Sequence, residues 1–103
     1  GVGSLSGKGV SERRGEGLGG YVLLLVPVET ARQRFRTAYP TARATPDGSY
    51  SLQGEPGEYF VLARKRDEFP PIISEDFVRS QTAKAPRVVL VSGERSQFTV
   101  RIP

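Results

Sequence analysis

Apolar residues along this chain fall into short runs, broken at close intervals by glycine and proline, and no stretch repeats them at the i, i+3, i+4, i+7 spacing of a long helix. The pattern predicts an all-β sandwich. Residues 4–10 carry only Leu5 and Val10 as large apolar side chains and read as an edge strand behind a mobile, glycine-rich start. A polar, glycine-rich connection then leads into residues 21–28, whose continuous apolar run is that of a central strand ending at Pro27, which lacks an N–H. Val22, Leu24 and Val26 are expected on one face, and Leu23 and Leu25 need cover from elsewhere.

Arg32, Arg34 and Arg36 alternate with Gln33 and Phe35, so a strand there would carry an arginine stripe on one face. Thr45, Pro46, Asp47 and Gly48 form a turn, with proline where φ near −65° is wanted and glycine at the last position. A hairpin is expected around it, residues 49–53 being the returning strand. A second turn at Pro56 and Gly57 precedes a strong strand over 59–65. Two prolines then break regular structure before Ser74, an N-cap followed by Glu75 and Asp76, which predicts one short helical turn. Residues 87–91 and 97–102 read as a final hairpin, with Phe98, Val100 and Ile102 inward and Thr99 and Arg101 outward.

With 103 residues, 37% of them apolar, the chain is read as a single domain spanning 1–103 that buries one modest core. Glycine at position 1 and the absence of methionine suggest a domain excised from a longer chain. Cysteine is missing, which removes disulfides and thiolate metal sites. Histidine and asparagine are missing as well, which removes Ser-His-Asp catalysis, His-based zinc sites and N-glycosylation acceptors. The carboxylates are scattered, without the Asp-x-Asp-x-Asp-Gly spacing of a calcium loop, and Lys8 is followed by glycine rather than the Ser/Thr of a phosphate-binding loop. No catalytic residue, metal or cofactor is assigned, and the chain is expected not to be an enzyme. The longest apolar run is far short of the roughly twenty residues of a membrane span, and the first residues lack the apolar segment of a signal peptide.

The segment from Ala44 to Lys65 resembles the pattern of carboxypeptidase regulatory-like domains, in which Gly-x-aromatic-x-Leu is followed after a short spacer by Pro-Gly-x-Tyr and, on the next strand, alanine. Gly48, Tyr50, Leu52, Pro56, Gly57, Tyr59 and Ala63 carry the match, and the likeness extends over most of the chain from about Leu5. The resemblance implies a prealbumin-like Greek-key β-sandwich of about seven strands with one short helical turn. It also implies a non-catalytic module of a secreted, periplasmic or cell-envelope bacterial protein that contacts or spaces other domains of the parent chain or envelope proteins. The sequence departs from the pattern at Pro46, where the family often has Asp, and at Arg64, Lys65 and Arg66, where the family is frequently acidic. Modules of this kind in pili close a Lys to Asn/Asp cross-link between first and last strands, but residues 97–102 offer Lys8 no acceptor.

Independently of the resemblance, a tyrosine just after a turn can give its hydroxyl to the backbone a few residues upstream, which makes Tyr59 a candidate corner anchor. Net charge is +4, and twelve of the fifteen basic residues are arginine, a balance that bears first on solubility and nonspecific contacts. The candidate ligand surface comprises Tyr39, Phe69, Arg34, Arg36, Arg64 and Arg66. Tyr39 and Phe69 lie in loops where a ring can meet a sugar, so polysaccharide is the alternative partner and a carbohydrate-binding module the alternative function. Nucleic acid is disfavoured because Phe35, which alternates with the arginines, is expected to point inward, leaving Tyr39 as the one candidate for an exposed stacking platform.

Overall fold

The computed structural model describes residues 1–15, 18–29, 33 and 39–103, and it is mostly β, with two sheets packed face to face. In chain order these residues form β1 (Gly3–Ser11), β2 (Tyr21–Pro27), β3 (Thr41–Arg43), β4 (Ser49–Gly54), β5 (Gly57–Lys65), α1 (Glu75–Thr82), β6 (Arg87–Leu90), β7 (Arg95–Gln97) and β8 (Val100–Ile102). One sheet has the order β4-β1-β7, with β8 also on β1. The other has the order β3-β2-β5-β6. β7 and β8 run parallel to β1 at an unchanged register, Ser6 opposite Gln97 and Gly9 opposite Val100, so they are one strand interrupted at residues 98–99.

The central position of β2 follows from its pattern. Tyr21, Leu23 and Leu25 face the space between the sheets, where they meet Leu5, Leu52, Tyr59, Val61, Leu90, Val100 and Ile102. Burying each such leucine contributes roughly 1.5–3 kcal/mol. The cover that Leu23 and Leu25 required is thus the opposite sheet. Val26 lies on the other face, in a second cluster with Leu62 and Val78, and α1 and its flanking loops close over it. Ser74 accepts the Phe77 N–H at 3.0 Å as an N-cap, and the helix runs 8 residues, longer than the single turn expected.

Three expectations are corrected. Residues 4–10 do not form an edge strand behind a mobile start: β1 lies in the middle of its sheet, paired with β4 on one side and with β7 and β8 on the other. Its glycines are the reason. Gly7 stands opposite Tyr50, whose hydroxyl reaches past it to the Phe98 carbonyl, and a Cβ there would overlap that carbonyl oxygen. At Gly9 a Cβ would overlap the Tyr21 ring and lie 2.8 Å from Ile102 Cδ1. Glycine in a strand marks close approach, and here it replaces the large apolar residues a central strand usually shows.

Neither expected hairpin forms. β3 and β4 flank the Thr45–Gly48 turn but belong to different sheets, and β6 pairs with β5 while β7 and β8 pair with β1. Two-residue hairpins need a first central residue at positive φ, whereas turns with negative φ there splay the strands. Pro46 holds that position in the first turn, closed by Gly48 N–H to Thr45 O at 2.9 Å. Ser92 holds it in the second, and among the described residues none other than glycine has positive φ. Both turns therefore send the chain across to the facing sheet. The strand expected around Arg32, Arg34 and Arg36 lies outside the described residues.

Candidate functional site

The stretch from Gly48 to Ala63 is built for packing. Gly48 adopts φ +91°, a conformation that costs a side-chain-bearing residue energy, and its carbonyl accepts the Tyr21 hydroxyl at 2.9 Å. Tyr50 and Leu52 are buried on the inner face of β4, and Ala63 is buried on β5. Pro56 stands in the turn between β4 and β5, and Gly57 opens β5 opposite Leu90. Tyr59 is fully buried and gives its hydroxyl to Glu55 O at 2.7 Å, four residues back. All four tyrosines donate to backbone carbonyls: Tyr21 to Gly48, Tyr39 to Gln33, Tyr50 to Phe98 and Tyr59 to Glu55. Burial pushes the Tyr21 phenol up to about 12 and raises that of Tyr50 too, so both stay protonated donors at neutral pH. Tyr59→Phe is expected to lower the unfolding free energy by about 1 kcal/mol, read from the urea midpoint; an unchanged midpoint would mean that the corner bond contributes nothing.

Asp47 closes the Thr45–Gly48 turn by accepting from the Thr45 hydroxyl and from the Ser49 N–H at 3.0 Å. Those bonds, the threonine's first, hold its carboxyl down at about 2. A carboxyl depressed on folding stabilises above its ordinary pKa, and that stabilisation is lost as the pH falls through the folded value. The stability deficit of Asp47→Ala is therefore expected to be full at pH 7 and to shrink from pH about 4 down to about 2. A pH-independent deficit in acid unfolding curves would refute the turn's role.

Of the candidate ligand surface, the structure brings Phe69 and Arg66 to one hollow and sets Arg64 apart from them. Tyr39 and Phe69 are half-buried against Val26, Leu62 and Val78, and Phe69 meets the Phe77 ring edge to face at 6.1 Å. Both thus pack within their own domain, and Phe69 also lines an open hollow. Arg66 is exposed in the short 3-10 turn Arg66–Glu68 and borders a hollow with Phe69, Arg43, Val22 and Leu24. Arg64 turns elsewhere, toward the open side of β5. Arg34 and Arg36 lie outside the described residues. Arg87, which the sequence did not single out, spans Phe60, at 5.0 Å from its ring centroid, and Glu58, at 3.8 Å.

A groove of about 530 Å³ runs between β5 and β8, bordered by Glu12, Arg64, Gln81, Lys84, Thr99 and Arg101. It exists because β6 pairs only with Gly57 to Phe60 and stops at Pro86, whose carbonyl accepts the Val61 N–H at 2.9 Å. Proline has no N–H to return to the Val61 carbonyl. Arg64 reaches this gap, giving Nη1–H to Ala63 O at 2.8 Å and Nη2–H to Gln81 Oε1 at 3.1 Å. No protein-family model matches the chain, and no curated protein matches it. The site must be judged on its own geometry.

That geometry offers backbone hydrogen bonds and three cations. Among the described residues no three of His, Cys, Asp and Glu cluster to hold a metal, and no helix is long and apolar enough to cross a membrane. Of the groove's residues, the sequence pointed to Arg64, as a member of the candidate ligand surface. Lys84, Thr99 and Arg101 come together only through the fold.

Proposed function

We propose that the chain is a non-catalytic accessory module of a secreted or envelope-associated protein, which contacts or spaces neighbouring domains or proteins. The observation that carries this reading is the groove, where two strands from different sheets turn backbone edges and cations toward one opening. Open edges of this kind recognise chains, since main-chain hydrogen bonds supply the affinity. The strand orders β4-β1-β7 and β3-β2-β5-β6, joined by turns that cross between sheets, support a prealbumin-like Greek-key sandwich. The Tyr59 corner and the Gly48 turn support kinship with carboxypeptidase regulatory-like domains, and the extracellular or envelope setting rests on that kinship alone.

The test is to assay the purified chain for binding to a panel of soluble and insoluble polysaccharides at low and high salt, beside Tyr39→Ala, and for turnover of chromogenic ester, peptide and glycoside substrates. The expected result is no turnover and no salt-resistant polysaccharide binding. Salt-resistant binding lost in Tyr39→Ala would make the chain a carbohydrate-binding module. Turnover lost on changing a single carboxylate would make it an enzyme.

A further inference from the structure

We propose that the groove between β5 and β8 binds an extended acidic peptide, which adds to the open edge of β5 as a further strand. This deepens the protein-contact reading and rests on it. The direction of the backbone groups follows from the ladders. Val28 N–H bonds to Glu58 O, and even-numbered residues of β5 continue that ladder toward β2, Val22 opposite Arg64 and Leu24 opposite Leu62. Odd-numbered residues therefore face the β6 side. There Gly57 and Tyr59 meet β6 and Val61 N–H meets Pro86, but Val61 O and Ala63 N–H have no strand opposite them among the described residues. Ala63 is 4% exposed, so its N–H lies at the bottom of the groove instead of in open solvent.

The facing wall is a second edge. Phe98 N–H bonds to Ser6 O and Glu12 N–H to Ile102 O, which turns even-numbered residues toward β1 and leaves the amides and carbonyls of Thr99 and Arg101 directed away from it. A buried amide without a partner is costly, and an edge left open is a template for another chain. The gap over β5 is covered by one removable group, the Arg64 guanidinium on Ala63 O and Gln81 Oε1, both neutral acceptors. A carboxylate is the stronger partner for a guanidinium, so an acidic peptide draws Arg64 outward and frees Ala63 O for the ladder.

Charge selects the occupant. Among the side chains that line the groove, Arg64, Lys84 and Arg101 stand against Glu12 alone, and among the described residues none of the three cations has an ion-pair partner. Val61, Phe98 and Val100 line its inner side. Side chains of an added strand alternate between faces, so the fitting sequence alternates acidic residues toward the cations with small β-branched residues toward the inner wall.

The experiment titrates the chain into a fluorescein-labelled peptide of alternating glutamate and valine, with a lysine-for-glutamate peptide and a backbone N-methylated peptide beside it. Amide NMR and hydrogen exchange are recorded at Ala63 and Thr99. The glutamate peptide is expected to bind and to shift and protect the Ala63 amide, and the lysine peptide not to bind. N-methylation, or Lys84→Glu with Arg101→Glu, is expected to weaken binding on the order of tenfold or more. Absence of binding, equal binding of the N-methylated peptide, or binding that leaves the Ala63 amide unchanged would overturn the proposal. So would self-association that protects the same amide, which would give the groove to a second copy. Binding that maps instead to the exposed Val89 edge of β6 would overturn it while leaving the protein-contact reading intact; salt-resistant polysaccharide binding would remove that reading itself.

Discussion

Gly7→Ala is expected to lower the unfolding free energy by about 3 kcal/mol, at the upper end of the usual cost of overpacking a filled site. The added methyl would overlap the Phe98 carbonyl oxygen and lie 2.9 Å from the carbonyl carbon, so backbone has to move, not a flexible side chain. That carbonyl also accepts the Tyr50 hydroxyl, and Tyr50 crosses Gly7 to reach it. Displacing it breaks the bond, leaves a buried phenol without its acceptor and separates β1 from the interrupted strand β7–β8. Urea unfolding monitored by tyrosine fluorescence reads the loss directly. A loss below about 1 kcal/mol would mean that the 98–99 break is pliable and that Gly7 is not what permits it.

The same glycine explains what the sequence conceals. β2 was legible because Tyr21 to Val26 are all large and apolar, and Tyr59 because a tyrosine after Pro-Gly implies an anchor. β1 was not, because its neighbours do the filling: Tyr50 covers Gly7 and Tyr21 covers Gly9. A strand whose core volume is supplied by tyrosines on other strands shows no apolar signal of its own. The two hairpins were misread for a related reason. Their turn residues were recognised, but Pro46 and the negative φ at Ser92 fix a turn geometry that separates strands, and that constraint was in the sequence to be used.

The candidate site was less legible than the fold. Its cations stand at positions 64, 84 and 101, on three elements, and nothing in their spacing relates them. Pro86 was the one local clue, since a proline before a strand withholds a donor from the neighbouring ladder. Arg64 was read only as one member of the candidate ligand surface, beside Arg66. In the fold its length lets it bend round the strand edge to Ala63 O, a use of arginine that periodicity does not register.

Tyr21→Ala is expected to cost about 3–5 kcal/mol, the range for truncating a large buried aromatic side chain. Its ring is fully buried between the sheets, packs on Gly9, meets Tyr50 edge to face at 6.4 Å, and carries the hydroxyl that donates to the Gly48 carbonyl. Because the nearest atoms a Cβ at Gly9 would meet belong to this ring, the two positions must be coupled. Gly9→Val should destabilise the native chain by roughly 1–3 kcal/mol, yet cost distinctly less in the Tyr21→Ala background, where the valine enters the space the ring has left. Additive losses in the double-mutant cycle would show that Gly9 serves the backbone of β1 alone. A positive coupling would show that one aromatic side chain and one missing side chain, on facing sheets, set the distance between those sheets.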